Sequence, residues 1–272
     1  MNIHIRLETP EDYYSVEELT REAFWAFWEP NRKICDEHLL VHRLRFAPSF
    51  VPELDFVVEL DGRIAGHIIY SKSKIVDDSG KEYETLTFGP ISILPAYQNT
   101  GIGKVLMRYS FEEAKRLGNR AILIFGHPDY YPRVGFRRAA EFGITTAEGY
   151  VRDSFMAFPL YDGALDGIHG RYYIDPVYEQ LTEDDALEFD KQFPPKAPFS
   201  PDPISLLLDH LEPEPRKAIE RINCPSLQMM TSKSENEISS LPGMDSEAIE
   251  IIRFVLHNHG VRWGKVLSSI SS

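Results

Sequence analysis

Residues 94–107 read LPAYQNTGIGKVLM, and this stretch decides the fold. Gln98, Gly101 and Gly103 lie between an apolar run, residues 85–94, and residues with the spacing of an amphipathic helix. The first backbone N–H groups of a helix have no partner inside it, so they can face an anion. Glycines allow close backbone approach and unusual dihedral angles. The stretch therefore predicts a phosphate-binding loop between a strand and a helix.

Two common nucleotide loops are excluded by the spacing. A nucleoside-triphosphate loop needs Ser or Thr after its lysine, but Val105 follows Lys104, and Gln98 stands where the leading glycine belongs. The dinucleotide fingerprint needs a third glycine, where this chain has Leu106. The remaining pattern, Q-x-x-G-x-G followed by a lysine, suits a pyrophosphate.

The flanking sequence predicts a mixed α/β (α+β) fold. Alternating or apolar runs indicate strands, and the stretch after Thr9-Pro10 has the start signals of a helix. We expect a mostly antiparallel central sheet flanked by helices. The predicted strands are NIHIRL, DFVVEL, RIAGHIIYSKSKIV, TLTFGPISIL, RAILIF, FRRAAEFGI and DSFMAFPL.

A proline-rich segment divides the chain. Residues 193–203, FPPKAPFSPDP, contain five prolines and predict a stiff, extended linker. We expect one domain over residues 1–192 and a small all-α domain over residues 204–272, where helical patterns dominate.

Composition narrows the class of protein. The 29 Lys and Arg residues against 42 Asp and Glu give a formal net charge of -13, which disfavours binding to nucleic acid or anionic membranes and could attract a cationic substrate. Cys35 and Cys224 are the two cysteines, too few for a disulfide framework. The charged N-terminus does not resemble a signal peptide, and no apolar stretch is long enough to span a membrane. These features predict a soluble cytoplasmic protein.

Two segments together resemble one family. SILPAYQNTGIGKVLM resembles the acetyl-CoA-binding motif of the GNAT superfamily of N-acyltransferases, and RAILIFGHPDYYPRVGFRRA resembles the strand and Tyr-x-x-x-Gly-Phe segment that follow it. The resemblance covers about residues 1–160. It is strongest to a bacterial branch of predicted acetyltransferases with an extra C-terminal region.

The resemblance implies acetyl-CoA as co-substrate and no metal. The strand residues implied to pair with the pantetheine amides are Ile91, Ser92 and Ile93, with the backbone near Ile93 helping to hold the thioester carbonyl. The residues implied to hold the pyrophosphate are Gln98, Asn99, Thr100, Gly101, Ile102, Gly103 and Lys104.

The implied chemistry is direct attack of a neutral amine on the thioester, which needs a base for the amine and an acid for the leaving thiolate. Tyr131 matches the family's tyrosine near the sulfur of CoA. Many relatives carry an asparagine in the connection between the strand and the tyrosine, which is shortened here, and His127 lies close to that point. Its usual pKa of about 6.5 makes it a candidate base through water, a role that the family motif does not carry. Glu59, on a predicted strand, is an alternative base.

Several alternatives stay open. The acceptor could be a small amine, an aminoglycoside, a polyamine or a peptide N-terminus, and oligomers are possible. A non-catalytic acyl-CoA-binding regulator with a partner-recruiting tail is a second hypothesis, and a nucleic-acid-tethered enzyme is a third. The C-terminal region weakly resembles helix-hairpin-helix modules, but Asp245 and Glu247 stand at its hairpin and would repel phosphate.

Overall fold

The structure is a computed structural model of the 272-residue chain and describes residues 2–25, 34–196, 202–231, 233–259 and 261. These residues form two compact units, one ending at residue 196 and the other beginning at residue 202. The predicted linker includes residues 197–201, which lie outside the described residues. The domain bounds and the linker therefore stay predictions.

The described residues of the first unit form one sheet and four α-helices. The strands are β1 (Ile3–Leu7), β2 (Phe56–Leu60), β3 (Arg63–Val76), β4 (Glu82–Ile93), β5 (Ala121–Phe125), β6 (Arg137–Arg138), β7 (Ile144–Thr145), β8 (Phe155–Pro159) and β9 (Gly170–Tyr173). The helices are α1 (Tyr13–Phe24), α2 (Glu37–Leu44), α3 (Ile102–Arg116) and α4 (Glu183–Asp190).

The sheet is mostly antiparallel, as predicted. Its order is β1-β2-β3-β4-β5-β8-β6, and β9 pairs with β3 and with β7. The pairs β4–β5 and β7–β9 are parallel, whereas the other pairs are antiparallel. A parallel pair needs a crossover connection, and the predicted phosphate loop and α3 supply the one between β4 and β5.

Alternation along the strands creates two apolar faces. On one face Phe56, Ile68 and Phe88 pack with Leu106 and Phe111 of α3. On the other face Val57 and Ile69 pack with residues of α1 and α2, among them Val16, Val41 and Leu44. The helices therefore cover the sheet on both sides.

Strand β4 has an irregular stretch between these layers. It pairs with β3 as Phe88 opposite Tyr70 and Ile91 opposite Ile68, so two residues, Gly89 and Pro90, face Ile69 alone. Two residues opposite one define a β-bulge, which bends a strand and changes the direction of its backbone groups. In the described residues the pairing of β4 with β5 is limited to Leu86 opposite Ile122. The two strands therefore part close to the bulge.

The segment FRRAAEFGI differs from its prediction as a continuous strand. Only Arg137–Arg138 and Ile144–Thr145 are extended, and Ala139–Phe142 form a 3₁₀ turn. The carboxylate of Glu141 accepts a hydrogen bond from the backbone N–H of Arg138, and Gly143 ends the turn with φ of 72°. This local hydrogen bond competes with strand pairing.

The second unit is helical in its described residues. Its helices are α5 (Ser205–Leu208), α6 (Pro213–Arg221), α7 (Leu227–Met230), α8 (Glu235–Ser239) and α9 (Ser246–Asn258). Asp245 caps α9 by accepting a hydrogen bond of 2.8 Å from the N–H of Ala248. The acidic cap occupies an N–H group that a phosphate would otherwise need. The helix-hairpin-helix resemblance stays a prediction.

No helix among the described residues has both the length and the apolar character needed to cross a lipid bilayer.

A buried polar network joins α2 to the ends of β1 and β2. The guanidinium of Arg45 bonds both carboxylate oxygens of Glu8, at 2.7 and 2.9 Å, and one oxygen of Glu17 at 2.5 Å. Nε2 of His67 lies 2.7 Å from Oδ1 of Asp55. Glu8, Asp55 and His67 are residue types that bind metals, but Arg45 already holds Glu8, so the cluster is an ion-pair network.

Burial changes the protonation of this network. It raises the pKa of Glu8 to about 7, against the opposing effects of His67 and Arg45, and raises that of Asp55 to about 6. It lowers the pKa of His67 to about 4. Because Glu8 and Asp55 interact directly, they titrate as a pair that shares a proton.

We predict that this shared proton makes stability depend on pH. The folded pair binds a proton that the unfolded chain releases, so its contribution is lost as pH rises through about 7. Below about pH 6.5 the unfolded chain protonates His67, which the fold keeps neutral, and this effect opposes the first. The free energy of unfolding should therefore fall by roughly 1 kcal/mol between about pH 6.5 and 8.

Denaturant titrations of Asp55→Asn across this range check the prediction. Asparagine keeps the size of the side chain and removes the carboxylate that helps to raise the pKa of Glu8, so the decrease should become smaller. The control Glu84→Gln alters an exposed carboxylate paired with Lys72 and should keep the wild-type decrease. An Asp55→Asn profile parallel to that of the wild type would contradict the shared proton.

Candidate active site

The loop before α3 leaves the first backbone N–H groups of the helix unused. Gly101 is the N-cap with φ of 94°, and no side chain of the described residues caps the helix there. Asn99 is also left-handed, with φ of 64°. The N–H groups of Ile102, Gly103 and Lys104 have no acceptor inside the helix. Together with the helix dipole they form an anion site.

Two polar side chains of the loop stabilise the loop itself. The amide nitrogen of Gln98 donates to the carbonyl oxygen of Ile93 at 2.9 Å, and the hydroxyl of Thr100 donates to that of Tyr97 at 2.6 Å. Gln98 was predicted to help hold pyrophosphate. Its side chain ties the loop to the end of β4, so the backbone N–H groups and Lys104 are the groups free to face an anion. The ammonium of Lys104 pairs with no carboxylate in the described part of the chain.

Beyond the bulge, β4 presents backbone groups on the edge that β5 leaves open. The N–H of Leu94 donates to the carbonyl of Ala65 at 2.9 Å, which makes these two residues a hydrogen-bonded pair across β3 and β4. Such pairs alternate along an antiparallel ladder, so Ser92 also points its backbone groups to β3, whereas Ile91 and Ile93 point theirs away.

The side chains of Ile91, Ser92 and Ile93 point to opposite faces of the sheet. The hydroxyl of Ser92 is buried and donates to that of Thr20 on α1 at 2.9 Å. Ile91 and Ile93 pack on the face that α3 covers. Of the three predicted pantetheine contacts, therefore, Ile91 and the N–H of Ile93 face the open edge, while the carbonyl of Ile93 already accepts from Gln98. Ser92 anchors the strand to α1, and the contacts with a ligand stay predictions.

Two glycines make room for Ile93. A Cβ on Gly66 of β3 would lie 2.4 Å from Cδ1 of Ile93, and one on Gly103 would lie 3.4 Å from its Cγ1. The side chain of Ile93 therefore fits between β3 and the first turn of α3. This contact sets the position of the anion site relative to the open edge of β4.

Tyr131 lies at the parting of β4 and β5. A Cβ on Gly126, just after β5, would lie 2.3 Å from the tyrosine ring, so the ring rests directly on this backbone. The centroid of the ring is 6.1 Å from that of Phe88, which precedes the bulge. The loop before α3 and the open edge thus both belong to the end of β4, and Tyr131 follows the neighbouring strand β5.

Burial raises the pKa of Tyr131 well above its usual value, and Tyr130 adds to the effect. The hydroxyl has no hydrogen-bond partner in the described residues and stays protonated around neutral pH. The sequence predicted an ordinary pKa near 10, whose small difference from that of a thiol would permit proton transfer. The desolvated hydroxyl is a weaker acid, so it is better suited to donating a hydrogen bond to a developing negative charge.

His127 is half-buried at the entrance to the same region. Its Nδ1 accepts a hydrogen bond of 3.2 Å from the backbone N–H of Asp129, so the hydrogen of the neutral ring is on Nε2. Burial lowers its pKa, although Asp129 opposes the shift. As a base, His127 would have to break the bond to Asp129 or change tautomer. Its catalytic role stays a prediction.

Glu59, the alternative base, pairs at the edge of the sheet instead. Its carboxylate oxygens lie 2.8 Å from a guanidinium nitrogen of Arg6 and 3.2 Å from Nδ1 of His4. The two partners lie on β1, far along the sheet from the parting of β4 and β5. This carboxylate therefore has a structural partner and no contact with the site.

Known proteins resemble this chain in sequence and in fold. A model of the Acetyltransferase (GNAT) family matches residues 17–139. The uncharacterized N-acetyltransferase YhbS of Escherichia coli K12 is 25% identical over 166 residues, which span 61% of this chain and 92% of YhbS. The uncharacterized N-acetyltransferase YjhQ of the same strain is 29% identical over 101 residues, 37% of this chain. The matched region spans only 55% of YjhQ.

Solved structures give the same result for the fold. The structure of E. coli YhbS in complex with CoA aligns with a TM-score of 0.57 at 23% identity, covering 67% of this chain and 94% of that one. A GNAT family acetyltransferase from Brucella melitensis in complex with acetyl-CoA aligns with a TM-score of 0.51 at 28% identity, covering 65% and 98%.

The family model includes both halves of the site, the loop before α3 and Tyr131 after β5. Residues 17–139 of this chain therefore match the Acetyltransferase (GNAT) family.

Proposed function

We propose that the protein is an N-acetyltransferase that moves the acetyl group of acetyl-CoA to a primary amine by direct attack. The observation that carries the proposal is the continuity of one surface. An uncapped helix N-terminus, the open edge of β4 at Ile91 and Ile93, and Tyr131 at the parting of β4 and β5 follow one another. The acetyl-CoA complex of the Brucella relative supports the choice of donor.

The donor would bind in an extended form along β4. Its pyrophosphate would accept hydrogen bonds from the N–H groups of residues 102–104, with Lys104 adding charge. Its pantetheine amides would pair with the backbone of Ile91 and Ile93 as an added strand does. The thioester would then reach the parting of β4 and β5, beside Tyr131.

The transfer needs no covalent enzyme intermediate. The lone pair of the neutral amine forms the new N–C bond, the C–S bond breaks, and the electron pair stays on sulfur. The amine loses one proton to the surrounding water, and sulfur gains one. The hydroxyl of Tyr131 donates a hydrogen bond to the sulfur as charge develops, because burial keeps that hydroxyl protonated.

The acceptor is an amine of unidentified structure. Attack requires its uncharged form, so the rate should rise with pH until the amine is neutral. The formal charge of -13 favours the approach of a cationic amine over that of an anionic one.

We predict that Gly101→Ala weakens the binding of acetyl-CoA by roughly tenfold or more, because the new methyl group projects into the open space at the anion site that the pyrophosphate would occupy. Isothermal titration calorimetry measures the affinity. Gly118→Ala is the matched control. Gly118 lies just past the other end of α3, also left-handed at 83° and also facing open space.

Both variants should lose similar stability, but only Gly101→Ala should lose affinity. Wild-type protein that gives no binding heat and no shift in melting temperature with acetyl-CoA would refute the proposed function. Equal affinity in both variants would refute the placement of the pyrophosphate.

We predict that Tyr131→Phe lowers kcat by about 10²–10⁴-fold, because it removes the donor to the leaving sulfur but keeps the ring on Gly126. Thiol release over a panel of amines measures turnover, and the affinity for acetyl-CoA should change by less than about threefold. The control Tyr130→Phe removes the hydroxyl next to it and should keep turnover. Wild-type protein that binds acetyl-CoA but acetylates no amine would favour the non-catalytic regulator.

A further inference from the structure

The 3₁₀ turn Pro176–Tyr178, after β9, brings a tyrosine hydroxyl to the bulge of β4. The oxygen of Tyr178 lies 3.0 Å from Oγ of Ser71 and 3.5 Å from the carbonyl oxygen of Gly89, the latter a long hydrogen bond. A tyrosine hydroxyl has one hydrogen, and a carbonyl can only accept. Both contacts are satisfied when Tyr178 donates to Gly89 and accepts from Ser71.

The ring of Tyr178 also supports the backbone at this point. A Cβ built on Gly89 would lie 4.0 Å from Cε1 of the ring, an ordinary van der Waals distance. Gly89 is the first of the two bulge residues, with φ of 155°. The tyrosine therefore contacts the bulge through both its ring and its hydroxyl.

The turn that carries Tyr178 is held in place by its own sequence. Asp175 is the N-cap and accepts a hydrogen bond of 2.9 Å from the N–H of Val177, and Pro176 occupies the first position. Val177 packs on the apolar face that α1 and α2 cover. Burial raises the pKa of Tyr178, although the hydrogen bond from Ser71 acts in the opposite direction. The hydroxyl therefore keeps its hydrogen around neutral pH.

The bulge occupies a defined place along the proposed donor. Going back along β4 from the loop, the order is Ile93, Ile91 and then Gly89, and each residue adds about 3.3 Å. A ligand with its pyrophosphate on the loop and its amides on Ile91 and Ile93 has its thioester end nearest Gly89. The part of the strand that Tyr178 contacts is therefore the part that would face the acyl group.

We propose that Tyr178 is a positioning residue for the acyl end of the donor: by fixing the carbonyl of Gly89 it sets the direction in which β4 leaves β5. The inference rests on the proposed function, because it requires a donor that lies along β4. It assigns Tyr178 no contact with the reacting atoms. Tyr178 acts through the backbone of the bulge.

The test compares the binding of two ligands to the 272-residue chain. Acetyl-CoA contacts both the loop and β4, whereas adenosine 3′-phosphate 5′-diphosphate has the pyrophosphate but no pantetheine or thioester. Tyr178→Phe keeps the ring and removes the hydroxyl. The substitution should lower the affinity for acetyl-CoA by roughly 3–10-fold, the equivalent of one hydrogen bond. The affinity for adenosine 3′-phosphate 5′-diphosphate should change by less than about twofold.

Tyr173→Phe is the control, since Tyr173 lies on β9 in the same segment and is exposed. Its ratio of the two affinities should equal that of the wild type. Amide hydrogen exchange of a peptide covering residues 86–93 gives a second readout in the free protein, and it should become faster in Tyr178→Phe alone. A general loss of stability would lower the affinities for both ligands together and would leave the ratio of the two affinities unchanged.

The outcomes separate the two proposals. Wild-type protein that binds neither ligand overturns the proposed function and the role of Tyr178 with it. Wild-type protein that binds both, combined with an unchanged ratio and unchanged exchange in Tyr178→Phe, overturns only the role of Tyr178. A ratio that changes in Tyr178→Phe and not in Tyr173→Phe supports it.

Discussion

Strand β4 carries backbone hydrogen-bonding groups that β5 does not satisfy, because the two strands part just after Leu86 faces Ile122. Buried peptide groups without partners are costly, so an open edge inside a sheet needs a substitute for the missing strand. The bulge at Gly89 and Pro90 turns β4 away from its neighbour, and the aromatic ring of Tyr131 occupies part of the gap. The remaining edge is where an extended ligand fits.

Small residues allow the elements around this edge to come close together. Gly66 and Gly103 leave space for Ile93, and Gly126 leaves space for Tyr131. A Cβ on Gly66 or Gly126 would overlap a side chain of a neighbouring element, whereas one on Gly103 would lie in ordinary van der Waals contact with Ile93. The position of the anion site relative to the edge therefore depends on close packing.

Local patterns predicted the loop, the helix after it and most strands of the sheet, because each depends on residues that are close in sequence. Tyr131 was singled out by the resemblance to a family, and its role stays a prediction. The contact of Tyr178 with Gly89 joins residues 89 positions apart, and no periodicity marks it. The pairing of Arg45 with Glu8 has a separation of 37 residues and is equally invisible. Charge and burial at such contacts follow from the packed fold, so the raised pKa of Tyr131 was also beyond the sequence.

The side-chain roles within the motif also needed the structure. Gln98 belongs to the motif, and its bond to Ile93 shows that its side chain shapes the loop. His127 is close to Tyr131 in sequence, but its acceptor nitrogen is occupied by the N–H of Asp129. Spacing alone distinguishes neither a ligand contact from a support nor a free lone pair from a bonded one.

The uncapped start of α3 has a thermodynamic consequence for the free protein. An N-cap side chain stabilises a helix by only a few tenths of a kcal/mol more than an N-cap glycine does, and α3, which begins at Gly101, forgoes this small stabilisation while its N–H groups stay available. An anionic ligand that binds there stabilises the folded state in proportion to the logarithm of its concentration. The abundance of such a protein in a cell would then follow the supply of its ligand, in addition to its rate of synthesis.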